Sequence, residues 1–363
     1  MRHATDKHKR QTQELGCGPN TINLNRKWKT NVIDVKNIPS ISGLNFRHFQ
    51  GDSDYSQIAA VLMASEAADQ VERHVTADDI ANSYQHLSNC DPYQDIIIAE
   101  VLGKIIGYTR GWWEDNTNSV RLYQHNGFLI PEWRRKGIGH TMFLWMEHHL
   151  RDVAASVPSG TENFLQVTAS QIQKGTTTML ERSAYQPVRH FYDMVRPTLD
   201  DIFEFPLPDG LEIRPVNPEN YPAIWKSVVD ETGQDEWEYK KPTDDDYQEW
   251  LTSPHFQPHL WQVAWDTLSN QVVGHVLTFI DDDENKQFNR KRGYTEGIGV
   301  DQSWRRRGLA RALISRSLQV QKSAGMTQSA LAADGESTNN VVRLYESCGF
   351  QIVKRDAIYR KSF

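Results

Sequence analysis

The chain has 363 residues, of which 24% are charged and 38% hydrophobic, and a formal net charge of −7. This length predicts about two domains, each long enough to bury its own core. The negative charge argues against nucleic acid as the partner, and no apolar run approaches the roughly 18 residues that a membrane helix needs.

The first 43 residues predict a polar extension, disordered or loosely docked, that lacks the apolar core of a signal peptide. The three cysteines, Cys17, Cys90 and Cys348, have neither metal-binding spacing nor a paired framework. We therefore expect no metal site and a reducing, cytoplasmic compartment.

Residues 44–198 predict a first domain. Ile58, Val61 and Leu62 form a helical stripe, and Thr76 lies where a helix N-cap is expected. The predicted elements are, in order, a strand (45–49), helices (54–67 and 76–87), a hairpin (95–108), a strand (120–124), a helix including residues 142–146, a strand (164–167), a helix (175–183) and a strand (188–195).

Residues 199–210 predict a linker, since Pro206, Pro208 and Gly210 interrupt an acidic run. Residues 211–363 then repeat the order of elements. They are a strand (211–214), helices (219–230 and 244–251), a hairpin (260–266 and 272–280), a strand (294–300), a helix (312–320), a strand (328–332), a helix (339–348) and a final strand (351–359). Asp281 to Arg292 is expected to be a charged loop tip.

A basic turn, residues 304–311, joins a strand to a helix in the second domain, and we call it the second cradle. A helix start has unpaired N–H groups and positive potential. Glycine allows close approach of a ligand, and arginine suits phosphate. The pattern predicts a pyrophosphate site made by Arg305, Arg306, Arg307, Gly308, Leu309, Ala310 and Arg311.

The same turn occurs 171 residues earlier, over residues 133–140, and we call it the first cradle. Trp133 aligns with Trp304, and Gly137 aligns with Gly308. A repeat of this length indicates two copies of a whole domain. The corresponding candidate residues are Leu129, Arg134, Arg135, Lys136, Gly137, Ile138, Gly139 and His140.

Both cradles have the form Arg-x-x-Gly-x-Gly/Ala, which resembles the acetyl-CoA motif of the GNAT superfamily of acyltransferases. Leu344-Tyr345-x-x-x-Gly349-Phe350 resembles the motif that follows it. The arrangement, over roughly residues 44–363, is similar to tandem proteins of the mycothiol synthase type. The resemblance implies an α/β (α+β) fold of two tandem GNAT domains, each a mixed, mostly antiparallel central sheet flanked by helices. It also implies acetyl-CoA as the acyl donor.

Acyl transfer to an amine needs a base and a hydrogen-bond donor for the developing oxyanion. Glu296, just before the second cradle, is the candidate base; the alternative is an outward carboxylate on a half-exposed strand. Gly297 and Gly299 indicate a bulge or the close approach of a ligand on this strand. The resemblance implies that Ile298 and Val300 contact the cofactor, with a free N–H near Val300.

The resemblance assigns to Tyr345 the protonation of the departing sulfur; the alternative is a core aromatic residue. Ser337 falls where close relatives carry an asparagine that contacts CoA. In the first domain, His125 aligns with Glu296 and Leu180 with Tyr345. We therefore expect the first domain to keep a cradle but to be non-catalytic.

Asp235, Trp237 and Tyr239 are the candidate acceptor residues, since carboxylates and aromatic rings suit a cationic amine. The alternative is a solvated acidic helix face. The sequence favours an acyl-CoA-dependent N-acetyltransferase, monomer or homodimer, acting on a small-molecule amine by direct attack in a ternary complex. A non-catalytic acyl-CoA-binding or scaffold protein, or a peptide or protein N-acetyltransferase, remains as an alternative.

Overall fold

Two mixed α/β halves, here the first half (residues 44–198) and the second half (residues 211–363), make up the fold. The computed structural model describes residues 33, 35–71, 75–116, 120–157, 162–232, 237–238, 242–253, 255–337 and 340–363. The predicted polar extension lies outside the described residues up to residue 32 and at residue 34.

Strands and helices of the first half follow the predicted order. The strands are β1 (Leu44–His48), β2 (Ile96–Val101), β3 (Lys104–Asp115), β4 (Val120–Leu129), β5 (Glu162–Ser170) and β6 (Gln186–Arg196). The helices are α1 (Asp52–Ala68), α2 (Ala77–Gln85), α3 (Pro92–Asp95), α4 (Ile138–Ser156) and α5 (Lys174–Arg182).

The second half repeats this order with an additional short helix (Asp282–Gln287), and its strands are shorter except for the last. They are β7 (Leu211–Ile213), β8 (Gln262–Asp266), β9 (Val272–Val276), β10 (Phe279–Ile280), β11 (Arg292–Tyr294), β12 (Gly299–Val300), β13 (Gln328–Asp334) and β14 (Gln351–Ser362). The helices are α6 (Tyr221–Lys226), α7 (Asp244–Thr252), α8 (Asp282–Gln287), α9 (Leu309–Ser323) and α10 (Val341–Ser347).

Local sequence signals explain the first two helices. Ile58, Val61 and Leu62 of α1 are buried in one core, as their spacing predicts. Thr76 caps α2, because its hydroxyl accepts a hydrogen bond from the N–H of Asp79 at 3.1 Å while the Asp79 carboxylate accepts from the N–H of Thr76.

The described strands form two sheets, and the last strands of the two halves are exchanged. The larger sheet has the order β1-β2-β3-β4-β5-β14-β6-β13-β11-β10, and the smaller has β12-β9-β8-β7. Thus β14 lies between two strands of the first half, and β6 lies next to β13. Met194 of β6 faces Leu331 of β13, and both are buried in the core of the second half. The backbone of each half therefore completes the sheet of the other, and residues 33–363 form one unit.

Two predictions of secondary structure need correction. The helix predicted over residues 219–230 is interrupted: α6 is short, and a π-helical turn, Ser227–Thr232, follows it. Within that turn Ser227 is buried, and its hydroxyl lies 3.3 Å from Nδ1 of His275. The charged loop tip contains a helix, α8, because Asp281 accepts from the N–H of Glu284 at 2.8 Å and caps an acidic first turn.

The predicted linker packs along α9. The carbonyl of Phe203 accepts from the hydroxyl of Ser315 at 2.6 Å, and the carbonyl of Phe205 accepts from Arg316 at 3.2 Å. Side chains of the second half therefore hold this segment in place on the helix that begins in the second cradle.

Candidate active site

The second cradle forms the turn before α9. Arg306 and Gly308 have left-handed backbone conformations, with φ of 63° and 89°, as in loops whose successive N–H groups converge on an anion. Apart from the adjoining residues, no atom in the part of the chain that the structure describes lies within 4 Å of the position that a Cβ of Gly308 would take, and Arg306 and Arg307 are exposed. Open N–H donors at the start of a 15-residue helix, beside guanidinium groups, fit the pyrophosphate of a CoA thioester.

Other residues of the second cradle hold it in shape. Arg305 donates from Nε to the carbonyl of Val300 at 3.0 Å. Arg311 donates from Nε to the hydroxyl of Ser347 on α10 at 3.1 Å, and Leu309 is buried in the core. The remaining residues predicted to bind the cofactor in this half are half-buried: Ile298, Val300, Ala310 and Ser337.

Between β11 and β12 the chain changes its strand partner. The N–H of Thr295 donates to Ala330 of β13 at 2.9 Å, whereas the carbonyl of Glu296 accepts from Leu277 at 2.8 Å. Gly297 has a φ of 55°, and a Cβ there would lie 2.9 Å from the Leu277 side chain. The strand predicted over residues 294–300, with a bulge at its glycines, is therefore broken between β11 and β12, and the break opens a gap between β12 and β13.

The amide of Val300 points into this gap. Val300 lies opposite Gly274 of β9, and the N–H of Asp301 donates to Val273 at 2.9 Å. Hydrogen-bonded and non-hydrogen-bonded pairs alternate along antiparallel strands. Val300 therefore belongs to a non-hydrogen-bonded pair, and its N–H is directed away from β9. This direction suits a donor to a carbonyl oxygen held in the gap.

The carboxylate of Glu296 lies beside the same gap. Its Oε1 accepts a hydrogen bond from the N–H of Ala332 at 2.9 Å. Burial raises the pKa of Glu296 from 4.5 to about 7, the hydrogen bond from Ala332 opposes this effect, and the charge of Asp193 adds to it. A carboxyl group with a pKa near neutrality is suited to act as a general base.

Tyr345 on α10 is 7% exposed. Burial raises the pKa of Tyr345, and the charges of Glu296 and Cys348 raise it further. The phenol therefore remains protonated at neutral pH and is suited to donate a proton. Since the charge of Glu296 contributes to the raised pKa of Tyr345, the two side chains lie within electrostatic range of each other.

The first cradle has the same backbone form as the second. Arg135 has a φ of 63° and Gly137 one of 87°, and Arg134 donates from Nε to the carbonyl of Leu129 at 3.2 Å. Arg134 also pairs with Asp69 at 2.6 Å. The two turns are structural copies, as the sequence repeat predicts. The other predicted residues differ in burial, with Ile138 buried, Leu129 and Gly139 half-buried, and Arg135, Lys136, Gly137 and His140 exposed.

A segment of the polar extension, residues 35–41, lies against the first cradle. A Cβ on Gly137 would lie 3.1 Å from Cγ of Pro39, and the hydroxyl of Thr141 donates to the carbonyl of Asn37 at 3.2 Å. Apolar residues of this region pack against the neighbouring core: Ile33, Val35 and Ile41. The described part of the extension is therefore docked, and it narrows the opening at Gly137.

The first half has different groups at the positions of the predicted base and acid. His125 is buried, and its Nε2 lies 3.2 Å from the hydroxyl of Tyr185. Burial lowers the pKa of His125 to about 4. Leu180 is fully buried. Both positions therefore belong to the packed interior of the first half.

Of the predicted acceptor residues, Trp237 lies within the described residues, whereas Asp235 and Tyr239 lie outside them. The guanidinium groups of Arg189 and Arg360 lie 5.4 Å and 4.8 Å from the centre of the Trp237 ring. The ring therefore already interacts with two cations of this chain.

The sequence did not predict that Asp193 lies near the candidate base. This residue of β6 lies opposite Ala332 of β13, whose N–H binds Glu296. A carboxylate in the last strand of the first half is visible in the sequence, but the pairing of that strand with the second half is not.

Within the described part of the chain, no group of three or more His, Cys, Asp or Glu side chains is arranged to hold a metal ion. No described helix combines the length and the apolar character that crossing a membrane requires.

The acetyltransferase (GNAT) family model matches residues 61–163 and 223–350. These matches together cover more than half of the chain, so the chain belongs to the GNAT family of acetyltransferases. The predicted fold and the predicted class of enzyme, an acyltransferase with a tandem repeat, are confirmed. The family in general uses acetyl-CoA, which agrees with the form of the second cradle.

Individual relatives agree with this assignment. The mycothiol acetyltransferase of Geodermatophilus obscurus is 23% identical over 84% of this chain and 93% of its own length. The mycothiol acetyltransferase of Thermobifida fusca is 31% identical, but the match covers 32% of this chain. It spans about a third of the relative's own length, 36%. The GCN5-related N-acetyltransferase from Sphaerobacter thermophilus has a TM-score of 0.69 and 23% identity, covering 89% of this chain and 96% of that one. The two mycothiol acetyltransferases support the predicted similarity to tandem proteins of the mycothiol synthase type.

Proposed function

We propose that the chain is an acetyl-CoA-dependent N-acetyltransferase that acetylates a primary amine of a small molecule by direct attack in a ternary complex. We assign catalysis to a second GNAT domain, residues 211–363, joined by residues 199–210 to a non-catalytic first GNAT domain, residues 44–198. The observation that carries the proposal is that the carboxylate of Glu296, bound to the N–H of Ala332 beside the gap, lies within electrostatic range of Tyr345, next to an open cradle.

Acetyl-CoA would supply an activated acetyl thioester. The N–H groups around Gly308 and the guanidinium of Arg306 would hold its pyrophosphate, and the amide of Val300 would donate to the carbonyl oxygen of the thioester. Donors fixed before the reaction stabilise developing charge without reorganisation, and these three groups belong to one strand–turn–helix segment.

Glu296 and Tyr345 have complementary tasks in this scheme. The Glu296 carboxylate accepts the proton that the amine loses, directly or through one water molecule. The Tyr345 phenol holds the proton that the departing sulfur requires. The site therefore removes one proton at the nucleophile and supplies one at the leaving group.

The first domain would have a supporting role. Pro39 lies against its cradle, and His125 and Leu180 are buried in its interior. We infer that one molecule of acetyl-CoA binds to each chain, in the second cradle. A small-molecule acceptor agrees with the curated relatives, whose names describe acetylation related to mycothiol.

The test is a measurement of CoA release by thiol detection, with acetyl-CoA and the amines putrescine, glucosamine and phenethylamine. We expect at least one amine to raise release above hydrolysis, and the double variant Glu296→Gln, Tyr345→Phe to lose this stimulation. If acetyl-CoA binds but none of the amines stimulates release, the proposal is wrong and a binding protein is favoured.

A further inference from the structure

The exchange of the last strands places a carboxylate of the first half beside the candidate catalytic site of the second. In the pair formed by β6 and β13, Asp193 lies opposite Ala332. The N–H of Ala332 donates to Glu296 at 2.9 Å. Asp193 and Glu296 thus approach the same residue of β13 from two sides, although they come from different halves of the chain.

The surface around Asp193 is open. Ala332 is exposed although β13 is an interior strand of the larger sheet, while Leu331 and Ala333 on either side are buried. Side chains alternate between the faces of a strand, so Ala332 and its partner Asp193 face away from the core of α9 and α10. The Asp193 side chain is 53% exposed. An acceptor can therefore approach Glu296 across this face.

The charges on this face are unbalanced. Lys354 of β14 lies 3.5 Å from Asp193, but its ammonium group lies nearer to Asp356, at 2.6 Å. On the other side, Glu296 carries a negative charge once deprotonated, and Tyr345 of α10 is neutral. Two carboxylates thus border the gap, and one lysine is shared between Asp193 and a third carboxylate. Coulomb attraction favours a cation in this position.

We propose that Asp193 is a specificity-determining residue that binds the acceptor as a protonated primary ammonium beside Glu296. This inference rests on the proposed function and adds the class of acceptor: an amine that is a cation at neutral pH. Asp193 would orient the ammonium group, and Glu296 would take its first proton and pass it to solvent. The second proton, which the nitrogen loses as it attacks the thioester, replaces the one that Tyr345 gives to the departing sulfur. The first half, which has no base and acid at the corresponding positions, would then supply a residue that selects the acceptor for the site of the second half.

Binding can be measured without turnover, by calorimetric titration of glucosamine or glucose into the protein saturated with CoA. These sugars differ by the charged amine. We expect the wild-type protein to bind glucosamine at least about tenfold more tightly than glucose, since charge-assisted hydrogen bonds are the stronger ones. Asp193→Asn should remove most of this preference, and Asp193→Glu should restore part of it. Equal affinities in the wild-type protein, or no binding of glucosamine, overturn the proposal.

Kinetics give a second readout. With the best acceptor among putrescine, glucosamine and phenethylamine, Asp193→Asn should raise the KM for the amine about tenfold and change kcat much less. The acidic limb of the kcat/KM profile should move to lower pH, because the charge of Asp193 no longer opposes ionisation of Glu296.

Lys354→Gln is the matched control, because it removes the cation shared by Asp193 and Asp356 and leaves both carboxylates in place. This variant should keep or lower the wild-type KM for the amine. If it raises the KM as Asp193→Asn does, loss of the ion pair explains the effect and the proposal is wrong. If the wild-type protein is an active acetyltransferase and Asp193→Asn has an unchanged KM, Asp193 does not bind the acceptor, and the proposed function still holds.

Discussion

Replacement of Glu296 by glutamine should lower activity and raise stability at the same time. Glutamine can still accept the hydrogen bond from Ala332 but cannot take a proton from the amine. Loss of a general base reduces kcat by roughly 10²–10⁴-fold. The folded protein raises the pKa of Glu296 from 4.5 to about 7, so ionisation of this carboxyl opposes folding. At 1.36 kcal/mol per pH unit, the stability lost is at most about 3 kcal/mol.

The sign of the stability effect depends on pH. Below the unfolded pKa of 4.5 the carboxyl is neutral in the folded and in the unfolded state, so it does not change the free energy of unfolding. Between pH 4.5 and about 7 the free energy of unfolding falls progressively, because the unfolded state ionises first. Glu296 is partly open to solvent, so we expect less than this upper limit: the free energy of unfolding of Glu296→Gln should exceed that of the wild-type protein by about 1–2 kcal/mol at pH 8 and should equal it at pH 4. Urea unfolding at both pH values measures this difference, and CoA release measures kcat.

Glu100→Gln is the control, because Glu100 accepts from Arg47 at 2.7 Å in the first half. It should lower stability and leave kcat unchanged. If Glu296→Gln loses stability at pH 8, the carboxylate is a structural partner of Ala332 and its burial imposes no cost. If it keeps full kcat, Glu296 is not the base.

Four further substitutions test other parts of the site and of the fold around it. Tyr345→Phe should lower kcat by roughly 10²-fold and leave acetyl-CoA affinity nearly unchanged in calorimetry; an unchanged kcat would exclude it as the acid. Gly308→Val should abolish acetyl-CoA binding, because its φ is +89° and its Cβ would enter the open cradle. Gly137→Val should leave one bound molecule per chain, and a fall in stoichiometry from two to one would show that the first cradle binds acetyl-CoA. Gly349→Ala should destabilise the fold by about 1–3 kcal/mol in urea unfolding, because its φ is +88° and a Cβ would clash with the guanidinium of Arg196. Wild-type stability would show that this arginine moves freely.

Local sequence was enough for the parts of the site that lie within one segment. Arg305 to Arg311 form a turn whose conformation depends on glycine and on the helix that follows, so the second cradle was predictable. Gly297 and Gly299 predicted an irregularity at this point of the strand, although the chain breaks the strand there where a bulge was expected. The repeat predicted that the first cradle would adopt the same form, and the two turns agree to within a few degrees in φ.

The sequence by itself determined the repeat, the position of both cradles and the candidate base, because these depend on short-range patterns, and its resemblance to the GNAT superfamily implied the class of fold and the candidate acid. The tertiary structure decided the rest. The exchange of β6 and β14 is a choice between strand partners far apart in the chain, and the alternation of buried and exposed residues specifies a face but not a neighbour. The same long-range packing places Asp193 beside Glu296, Pro39 against Gly137, and the carboxyl of Glu296 in surroundings that raise its pKa to about 7.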